Sequence, residues 1–288
     1  MGTRTHHPLT PLAFLLPAAL PLGVFFGFAA VQVLAYSFTR YSAFTPATFV
    51  GADNYRELLD TGIFYSALIN SLAYLLVTPP LVLLSLLAAL IVDAKLRWMG
   101  WLRLALFLPV ITPTIVGSLA WRLVLDENSG ILNGFLASIG AGPVPWLSER
   151  PWTLVSAMLV TLWKGFGFYM MVFLAGLLAV PTELREAAAI DGAGRLGSFL
   201  NVTLPALRPS IILVTVVSSI SALKVFEELF VTIKGTPLSH QTVMPLIYHL
   251  AFERGQFGLA SAAGVLLFVL ILVLSLANIG LSSRKGAR

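Results

Sequence analysis

The sequence predicts an all-α integral membrane protein with six transmembrane helices. Of its 288 residues, 58% are hydrophobic and only 11% are charged, whereas soluble domains average about 25% charged residues. The mean hydropathy is +0.90, and several apolar runs reach about 20 residues, the length that a helix needs to cross a bilayer. We therefore expect one polytopic membrane domain over residues 1–288.

Six apolar segments are long enough to cross the membrane. Because lipid-exposed backbone has to form its hydrogen bonds internally, each segment is expected to be helical. The first segment is about twice as long as the apolar region of a signal peptide, so we interpret it as a retained span. The predicted spans are approximately residues 12–36, 66–92, 102–125, 153–180, 210–233 and 260–282.

Proline pairs predict kinks in the first three spans, because each proline removes a backbone donor from its helix. Between spans, the amphipathic stretches Asn54–Asp60 and Ile131–Gly140 are typical of short helices at the membrane surface. The proline pairs are Pro17 with Pro21, Pro79 with Pro80, and Pro109 with Pro113.

The distribution of basic residues predicts the orientation of the chain. With both termini on one side of the membrane, that side collects ten lysines and arginines and the other side collects six, while Lys164 and Lys224 fall inside spans. The positive-inside rule therefore places both termini in the cytoplasm. The segment Pro181–Pro209 is then cytoplasmic as well.

Absent residues and motifs exclude several chemistries. The chain has no cysteine, which excludes disulfides, thiol catalysis and cysteine-ligated metals. It has no HExxH or GxSxG motif, and no lysine follows a glycine, so a GxxxxGK phosphate loop is absent. His240 and His249 are too isolated in the sequence to indicate a metal site. We predict no catalytic residue, no metal site, no cofactor in this chain and no nucleic-acid partner.

The segment Pro181–Pro209 places charged and small residues between two apolar spans. Thr182 is the expected N-cap of a helix, and Glu183 and Glu186 follow in its first turn, where the helix dipole favours negative charge. Gly192 is placed to end this helix in a left-handed conformation.

One face of this predicted helix is made mostly of small side chains. Leu184, Ala187, Ala188 and Asp191 share that face, which allows another surface to approach the backbone closely. A second short helix is expected at residues 195–202, ending before Pro205. From the residues alone, the segment is either an amphipathic loop on the lipid headgroups or a docking element.

The run "PTELREAAAIDGA" at Pro181–Ala193 resembles the EAA signature of permease subunits of binding-protein-dependent ABC importers. "WKGFG" at Trp163–Gly167 and "LPVITPTIVGSLAW" at Leu108–Trp121 are similar to the carbohydrate branch of that family, which includes the maltose and glycerol-phosphate permeases. The resemblance covers most of the chain. It implies that the segment is a coupling helix, which docks in a groove of a cytoplasmic ATPase.

The resemblance also implies partners and a location. The partners are two ATP-binding cassette subunits that bind ATP and Mg²⁺, an extracytoplasmic solute-binding protein, and a second permease subunit. That second subunit is either a copy of this chain or, as the family favours, a different chain. The implied location is the cytoplasmic (inner) membrane of a bacterium or archaeon, with lipid around the spans. The residues implied at the ATPase contact are Glu183, Glu186, Ala187, Ala188, Asp191, Gly192 and Ala193.

Ionisable residues inside the spans are candidates for the substrate pathway, because a charge within the membrane is costly. They are Lys164 in the fourth span and Lys224, Glu227 and Glu228 in the fifth. Resemblance to maltose permease implies a central sugar site drawn from the third, fourth and fifth spans. With Glu228 included, the predicted lining residues are Val110, Thr114, Lys164, Gly165, Ser218, Ala222, Val225 and Glu228.

Two interpretations of Lys164 stay open: it either faces the substrate or pairs with Glu228 on the neighbouring span. Val110, Ala222 and Val225 offer a sugar no polar side-chain group, which argues against a maltose-like disaccharide. An unphosphorylated sugar, an amino or phosphorylated sugar, and glycerol phosphate remain as candidate solutes.

We predict a permease subunit of an ATP-driven importer that moves a sugar or sugar-like solute by alternating access, without covalent chemistry of its own. A secondary carrier driven by an ion gradient is one alternative, but we find no internal repeat of the kind that such carriers contain. A membrane-embedded enzyme is a further alternative, and it lacks a catalytic motif here.

Overall fold

The computed structural model describes residues 10–94, 98–234 and 236–284. The described chain forms two compact units. The first contains the chain up to Thr61 together with Ile247–Phe268, and the second contains Gly62–Leu246 and the chain from Val269 onward. Some of the basic residues behind the predicted orientation lie outside the described residues; these are Arg4, Lys95, Arg97, Lys285 and Arg288.

The described structure is mostly helical, as the sequence predicts. In chain order the helices are α1 (Thr10–Leu22), α2 (Ala29–Ser37), α3 (Asp53–Asp60), α4 (Gly62–Tyr74), α5 (Thr78–Val92), α6 (Met99–Ile111), α7 (Thr114–Val124), α8 (Ile131–Ser138), α9 (Trp152–Leu178), α10 (Thr182–Ile190), α11 (Arg195–Ser198), α12 (Leu204–Ala206), α13 (Arg208–Leu223), α14 (Glu227–Thr232), α15 (Val243–Tyr248) and α16 (Phe257–Arg284). Adjoining them are 3₁₀ turns at Leu75–Val77 and Leu238–His240 and π-helical turns at Gly23–Phe28, Phe199–Thr203 and His249–Glu253. The two amphipathic stretches between predicted spans correspond to α3 and α8.

Four helical stretches are long and apolar enough to cross a membrane, namely Phe14–Ser37, Gly62–Val92, Trp152–Leu178 and Phe257–Asn278. They correspond to the first, second, fourth and sixth predicted spans. Two further stretches qualify only when helices on both sides of a bend are joined: α6 with α7, bent by 97°, and Arg195–Ala206 with α13, bent by 62°. By length and composition, the described chain therefore has four to six membrane-spanning segments.

The third predicted span, residues 102–125, is not one continuous helix. The backbone leaves the helical conformation at Thr112 (ψ 129°) and Pro113 (ψ 131°), and α7 then starts in a new direction. Proline disfavours helical geometry in the residue before it and supplies no backbone N–H of its own. The predicted proline kink is thus a full break at Pro113, whereas Pro109 stays inside α6.

The fifth predicted span, residues 210–233, is also broken, which corrects the expectation of a single helix. Helix α13 ends at Leu223, and the chain is not helical again until α14 starts at Glu227. No glycine or proline marks this break in the sequence. Tertiary contacts support it instead, because the freed carbonyl of Val225 faces the buried hydroxyl of Thr242 at 3.5 Å.

The other two proline pairs are accommodated without a break in their spans. Pro17 and Pro21 lie inside α1, and the π-helical turn at Gly23–Phe28 follows them. Pro79 and Pro80 occupy the first turn of α5, where the missing backbone donors cost little.

The first unit is organised around a short hairpin that follows α2. Strands β1 (Thr39–Arg40) and β2 (Thr48–Phe49) pair antiparallel, with Thr39 opposite Phe49. The buried amide of Asn54, on α3, donates 2.9 Å hydrogen bonds to the carbonyls of Ser37 and Thr39. Gly258 allows the start of α16 to lie against the Thr39 carbonyl, because a Cβ at this glycine would overlap that oxygen.

The second unit is built on α9, which packs along α5 and α13. Phe173, Met170 and Ala89 are fully buried where α9 meets α5. Two glycines of α9 mark the closest approaches: a Cβ at Gly167 would overlap the Leu106 carbonyl oxygen of α6, and a Cβ at Gly176 would overlap the Ser210 hydroxyl of α13. Close approach through small residues is the usual way in which membrane helices gain packing contacts.

Candidate functional site

A cavity of about 480 Å³ lies among α5, α6, α9, α13 and α14 of the second unit. Its wall combines aromatic rings, hydroxyl groups and four charged side chains, which is a surface suited to a polar solute with an apolar face. The lining residues are Leu81, Val110, Thr161, Lys164, Gly165, Phe168, Tyr169, Ser218, Ile220, Ser221, Ala222, Lys224, Val225, Phe226, Glu227 and Glu228.

Seven of the eight residues predicted for the substrate pathway share this wall. They are Val110, Lys164, Gly165, Ser218, Ala222, Val225 and Glu228. Thr114 does not line the cavity, because it lies beyond the break, at the first position of α7. The wall also contains Thr161 and Phe168, which the sequence analysis missed. Their positions, three residues before and four after Lys164, put them on one helical face, and that periodicity is the signal by which they are detectable.

The ammonium group of Lys164 contacts the broken third span. Its Nζ donates a 2.6 Å hydrogen bond to the carbonyl oxygen of Thr112. That carbonyl lies at the end of α6, where the break removes the helical partner it would otherwise have. The preceding residue of α9, Trp163, packs against α7, since its ring lies only 2.9 Å from where a Cβ on Gly117 would stand.

The break in the fifth span places charge at the cavity. Lys224 caps the end of α13, and Glu227 and Glu228 form the first turn of α14, where the helix dipole favours carboxylates. Glu228 is half-buried, whereas Lys224 and Glu227 are exposed. Within the described residues, no ion pair shorter than 4 Å joins Lys164 to Glu228, so the salt bridge considered from the sequence is not formed.

Hydroxyl groups of the wall are partly engaged by neighbouring groups. Thr161 shares a 2.8 Å hydrogen bond with the hydroxyl of buried Tyr74. Ser218 donates to the carbonyl of Val214 at 2.6 Å, so its oxygen keeps acceptor capacity but its proton is used. Ser218 therefore offers a solute an acceptor, and the two lysines of the wall offer donors.

The segment after α9 has the local structure that its sequence predicts, with two corrections. Thr182 is the first residue of α10 rather than its N-cap, a position that Pro181 occupies. Helical turns also continue through Pro205, because a proline is tolerated at the start of the short helix α12. Gly192 does end α10 with a left-handed φ of 81°.

Backbone hydrogen bonds around Gly192 form a Schellman motif. The N–H of Ala193 donates to the carbonyl of Ala188 at 2.9 Å, and that of Gly192 donates to Ala189 at 3.1 Å. The helix that this motif ends, α10, does not pack its small-faced side into the core of the chain. No residue of α10 is buried, and apolar Leu184 and Ile190 are 51% and 87% exposed.

The predicted docking residues are accessible in this chain. Those exposed are Glu183, Glu186, Ala187, Asp191 and Gly192, and those half-buried are Ala188 and Ala193. An added Cβ at Gly192 would meet no atom within 4 Å. The segment thus presents a small, partly apolar face with an acidic rim.

The loop between α14 and α15 is tied to α4 and to the start of α9. The buried amide of Asn70 donates to the carbonyls of Ser239 and Gln241, both at 2.8 Å, and accepts a 2.6 Å hydrogen bond from Arg150. Burial, and then the charge of Arg150, lower the pKa of His240 below its ordinary value.

Known membrane transport proteins are similar to this chain over most of its length. A family model for the inner membrane component of binding-protein-dependent transport systems matches residues 59–285. The arabinooligosaccharides transport system permease protein AraP of Bacillus subtilis is 34% identical over 282 residues, covering 96% of this chain and 90% of the relative. The trehalose/maltose transport system permease protein MalF of Thermococcus litoralis is 33% identical over 225 residues, covering 78% of this chain and 76% of the relative.

A solved structure shares the fold. A chain from the crystal structure of a bacterial ABC transporter involved in the import of the acidic polysaccharide alginate superposes with a TM-score of 0.83 at 24% identity, covering 95% of each chain. The family match and the relatives agree with the membrane helices described above. The chain belongs to the family of inner membrane components of binding-protein-dependent transport systems.

Proposed function

We propose that this chain is the permease subunit of an ATP-driven importer that carries a sugar or sugar-like solute across the cytoplasmic membrane. The observation that carries the proposal is the family match over residues 59–285, which includes both the cavity and the uncovered α10. Relatives at 33–34% identity are permeases of arabinooligosaccharide and trehalose/maltose systems.

In this proposal each bent helix pair counts as one span, so that residues 1–288 form one six-span domain. Both termini and the segment 181–209 are cytoplasmic, which the distribution of basic residues supports. Helix α10 then faces the compartment that contains ATP. Its small face receives the ATPase, and Gly192 fixes the direction in which the chain leaves that contact.

The chain itself has no covalent step to perform. Two ATPase subunits bind ATP and Mg²⁺, a soluble binding protein delivers the solute at the outer face, and a second permease subunit, a different chain, completes the pathway. ATP-driven movement of the coupling segment changes which side of the membrane the cavity opens to. Transport follows only if the two conformations differ in their affinity for the solute.

The charges of the cavity, two lysines against two glutamates, provide no net positive charge to hold a phosphorylated sugar, which favours an uncharged one. Lys164 already donates to a backbone carbonyl, so its charge is partly engaged. Glu227 and Glu228 form no ion pair shorter than 4 Å within the described residues, and they repel an anionic solute. Glycerol phosphate, the main competing solute, would add a third negative group beside them.

Purification and uptake test the proposal together. The tagged chain, solubilised in mild detergent, is expected to bring down an ATPase subunit and a second permease subunit. Reconstituted vesicles with the binding protein should accumulate a labelled neutral oligosaccharide only when ATP is supplied. Uptake that follows an imposed proton or sodium gradient without ATP would identify a secondary carrier and refute the proposal.

A further inference from the structure

Arg185 joins α10 to two other helices of the second unit. Its NH2 donates a 3.1 Å hydrogen bond to the carbonyl of Leu177 at the end of α9. Its NH1 lies 3.8 Å from the carboxylate of Asp93, which caps the end of α5. Among the described residues, no other side chain of α10 forms an ion pair.

Both acceptors lie at helix C-termini. The last carbonyls of a helix lack intrahelical partners and carry partial negative charge, which stabilises a nearby cation. The guanidinium group of Arg185 therefore lies between the negative end of α9 and the Asp93 carboxylate that follows α5, while the Val92 carbonyl at the end of α5 accepts hydrogen bonds from Arg103. Because the Arg185 and Asp93 side chains are only 34% and 26% exposed, water screens this interaction less than it would on an open surface.

The bridge is only partly engaged in this structure. A separation of 3.8 Å exceeds the 2.7–2.9 Å typical of a charge-assisted hydrogen bond, and the buried Nε of Arg185 has no hydrogen-bond partner among the described residues. A cavity of about 320 Å³ borders Asp93, Leu177 and Arg185 and leaves room for the guanidinium group to move. A small shift toward Asp93 would form the fork-like pair with a carboxylate that arginine favours.

Helices α5 and α9 connect this bridge to the larger cavity. They share a core in which Ala89, Val92 and Phe173 are fully buried, and a well-packed pair of this kind transmits displacement. Farther along the same two helices, Leu81 of α5 and Lys164 of α9 line the cavity.

We infer that Arg185 is a positioning residue that transmits movement of α10 to α5 and α9. It does so by exchanging the Leu177 carbonyl for the Asp93 carboxylate as its main partner between two conformations. This inference rests on the proposed function, because it assigns the contact through which ATPase movement reaches the solute cavity.

The test uses the assembled transporter and measures solute taken up per ATP hydrolysed. Arg185→Met keeps the length of the apolar stem but removes the guanidinium, and it is expected to lower this ratio about tenfold, within the usual range of coupling between sites. Asp93→Asn should lower it less, because the Leu177 contact remains. If the contact is shared, the double variant is no worse than Arg185→Met alone.

Subunit yield and melting temperature separate positioning from simple stabilisation. Positioning predicts that Arg185→Met still copurifies with the ATPase and hydrolyses ATP while uptake fails, and that Arg185→Lys restores part of the ratio. A merely structural role lowers yield, hydrolysis and uptake in parallel, and that result overturns the inference. If the Arg185→Met subunit does not assemble with its partners, the Asp93→Asn variant provides the test instead. An unchanged ratio of solute taken up to ATP hydrolysed in Asp93→Asn would overturn the inference.

The same experiment distinguishes this inference from the proposed function. A wild-type complex that shows no ATP-dependent uptake contradicts the proposed function. A wild-type complex with normal coupling, together with variants that couple equally well, contradicts only the role of Arg185.

Discussion

Lys164 of α9 holds the carbonyl oxygen of Thr112, at the break between α6 and α7, through a 2.6 Å hydrogen bond. Of the two roles considered for this lysine, pairing with Glu228 is replaced by pairing with the backbone of a neighbouring span. An ammonium group carries three donors, and this contact uses one of them. Lys164 is therefore placed to link the geometry of the break to the contents of the cavity.

Lys164→Met is expected to reduce both uptake and stability. The change keeps length and apolar character but leaves the Thr112 carbonyl unpaired, at a cost of about 1–3 kcal/mol. Thermal unfolding in detergent and ATP-dependent uptake provide the measurements, with Lys234→Met, an exposed lysine away from the cavity, as control. Restoration of stability by adding Glu228→Gln would show that the two side chains pair after all.

Gly167→Ala should destabilise the second unit, because the new methyl group would overlap the Leu106 carbonyl oxygen. Overpacking of this kind typically costs about 1–3 kcal/mol. Gly134→Ala, in α8, adds the same atom with nothing within 4 Å and should stabilise by up to about 1 kcal/mol. Melting temperatures that move in the same direction for both variants would contradict the close α6–α9 approach.

Stability should fall with acidity through His240. Its folded-state pKa is lowered by burial and by Arg150, so the unfolded chain binds this proton more readily than the folded chain. The contribution is complete above the unfolded value of about 6.5 and is lost as pH falls below it. Melting curves from pH 7.5 to 5.5 should decline less in His240→Gln than in the wild type, and equal slopes would exclude this histidine as the cause.

Reporter fusions test the orientation on which the coupling role depends. Fusions after Val202 should report cytoplasm, and fusions after Asp60 and Glu149 should report the outside, as the bias of basic residues predicts. If all three sites report the opposite compartment, α10 faces away from ATP and the proposed ATPase contact is wrong.

Local chemistry explains which features of the fold the sequence predicts. The left-handed φ of Gly192 is predictable from its residue type, because few other residues tolerate that conformation. The four long spans are predictable from the length of their apolar segments. The break at Lys224–Phe226 is not predictable in this way, because no glycine or proline marks it and its stabilising contacts come from distant residues such as Thr242.

The candidate site is likewise predictable where it depends on local sequence and not where it depends on the break in a helix. Seven of eight predicted lining residues meet at one cavity, since they lie on spans whose facing sides the family motifs identify. Thr114 is predicted at the site from the resemblance to maltose permease, on a third span that its prolines only kink, and the full break at Pro113 separates it from the others. The hydrogen bond from Lys164 to Thr112 was not foreseen, because a backbone acceptor becomes free only where a helix breaks.

The proposed coupling to the ATPase depends on both the backbone and the surface of α10. Gly192→Ala adds one methyl group in open space but forces a left-handed backbone on an L-residue, at about 1–2 kcal/mol. Gly194→Ala adds the same group at an ordinary φ of −66°, so it serves as the control for backbone conformation. Ala187→Asp leaves the backbone unchanged and places a charge on the exposed face.

Gly192→Ala and Ala187→Asp should both reduce uptake, and for different reasons that can be measured. The first misdirects the chain after α10, so hydrolysis and uptake lose their coupling while some ATPase remains bound. The second opposes docking itself, because an unpaired carboxylate buried in an interface is costly, so less ATPase copurifies. Membrane insertion should be normal in both, because no residue of α10 is buried in this chain. Full uptake and full ATPase association in Ala187→Asp would show that the small face of α10 is not the surface that the ATPase contacts.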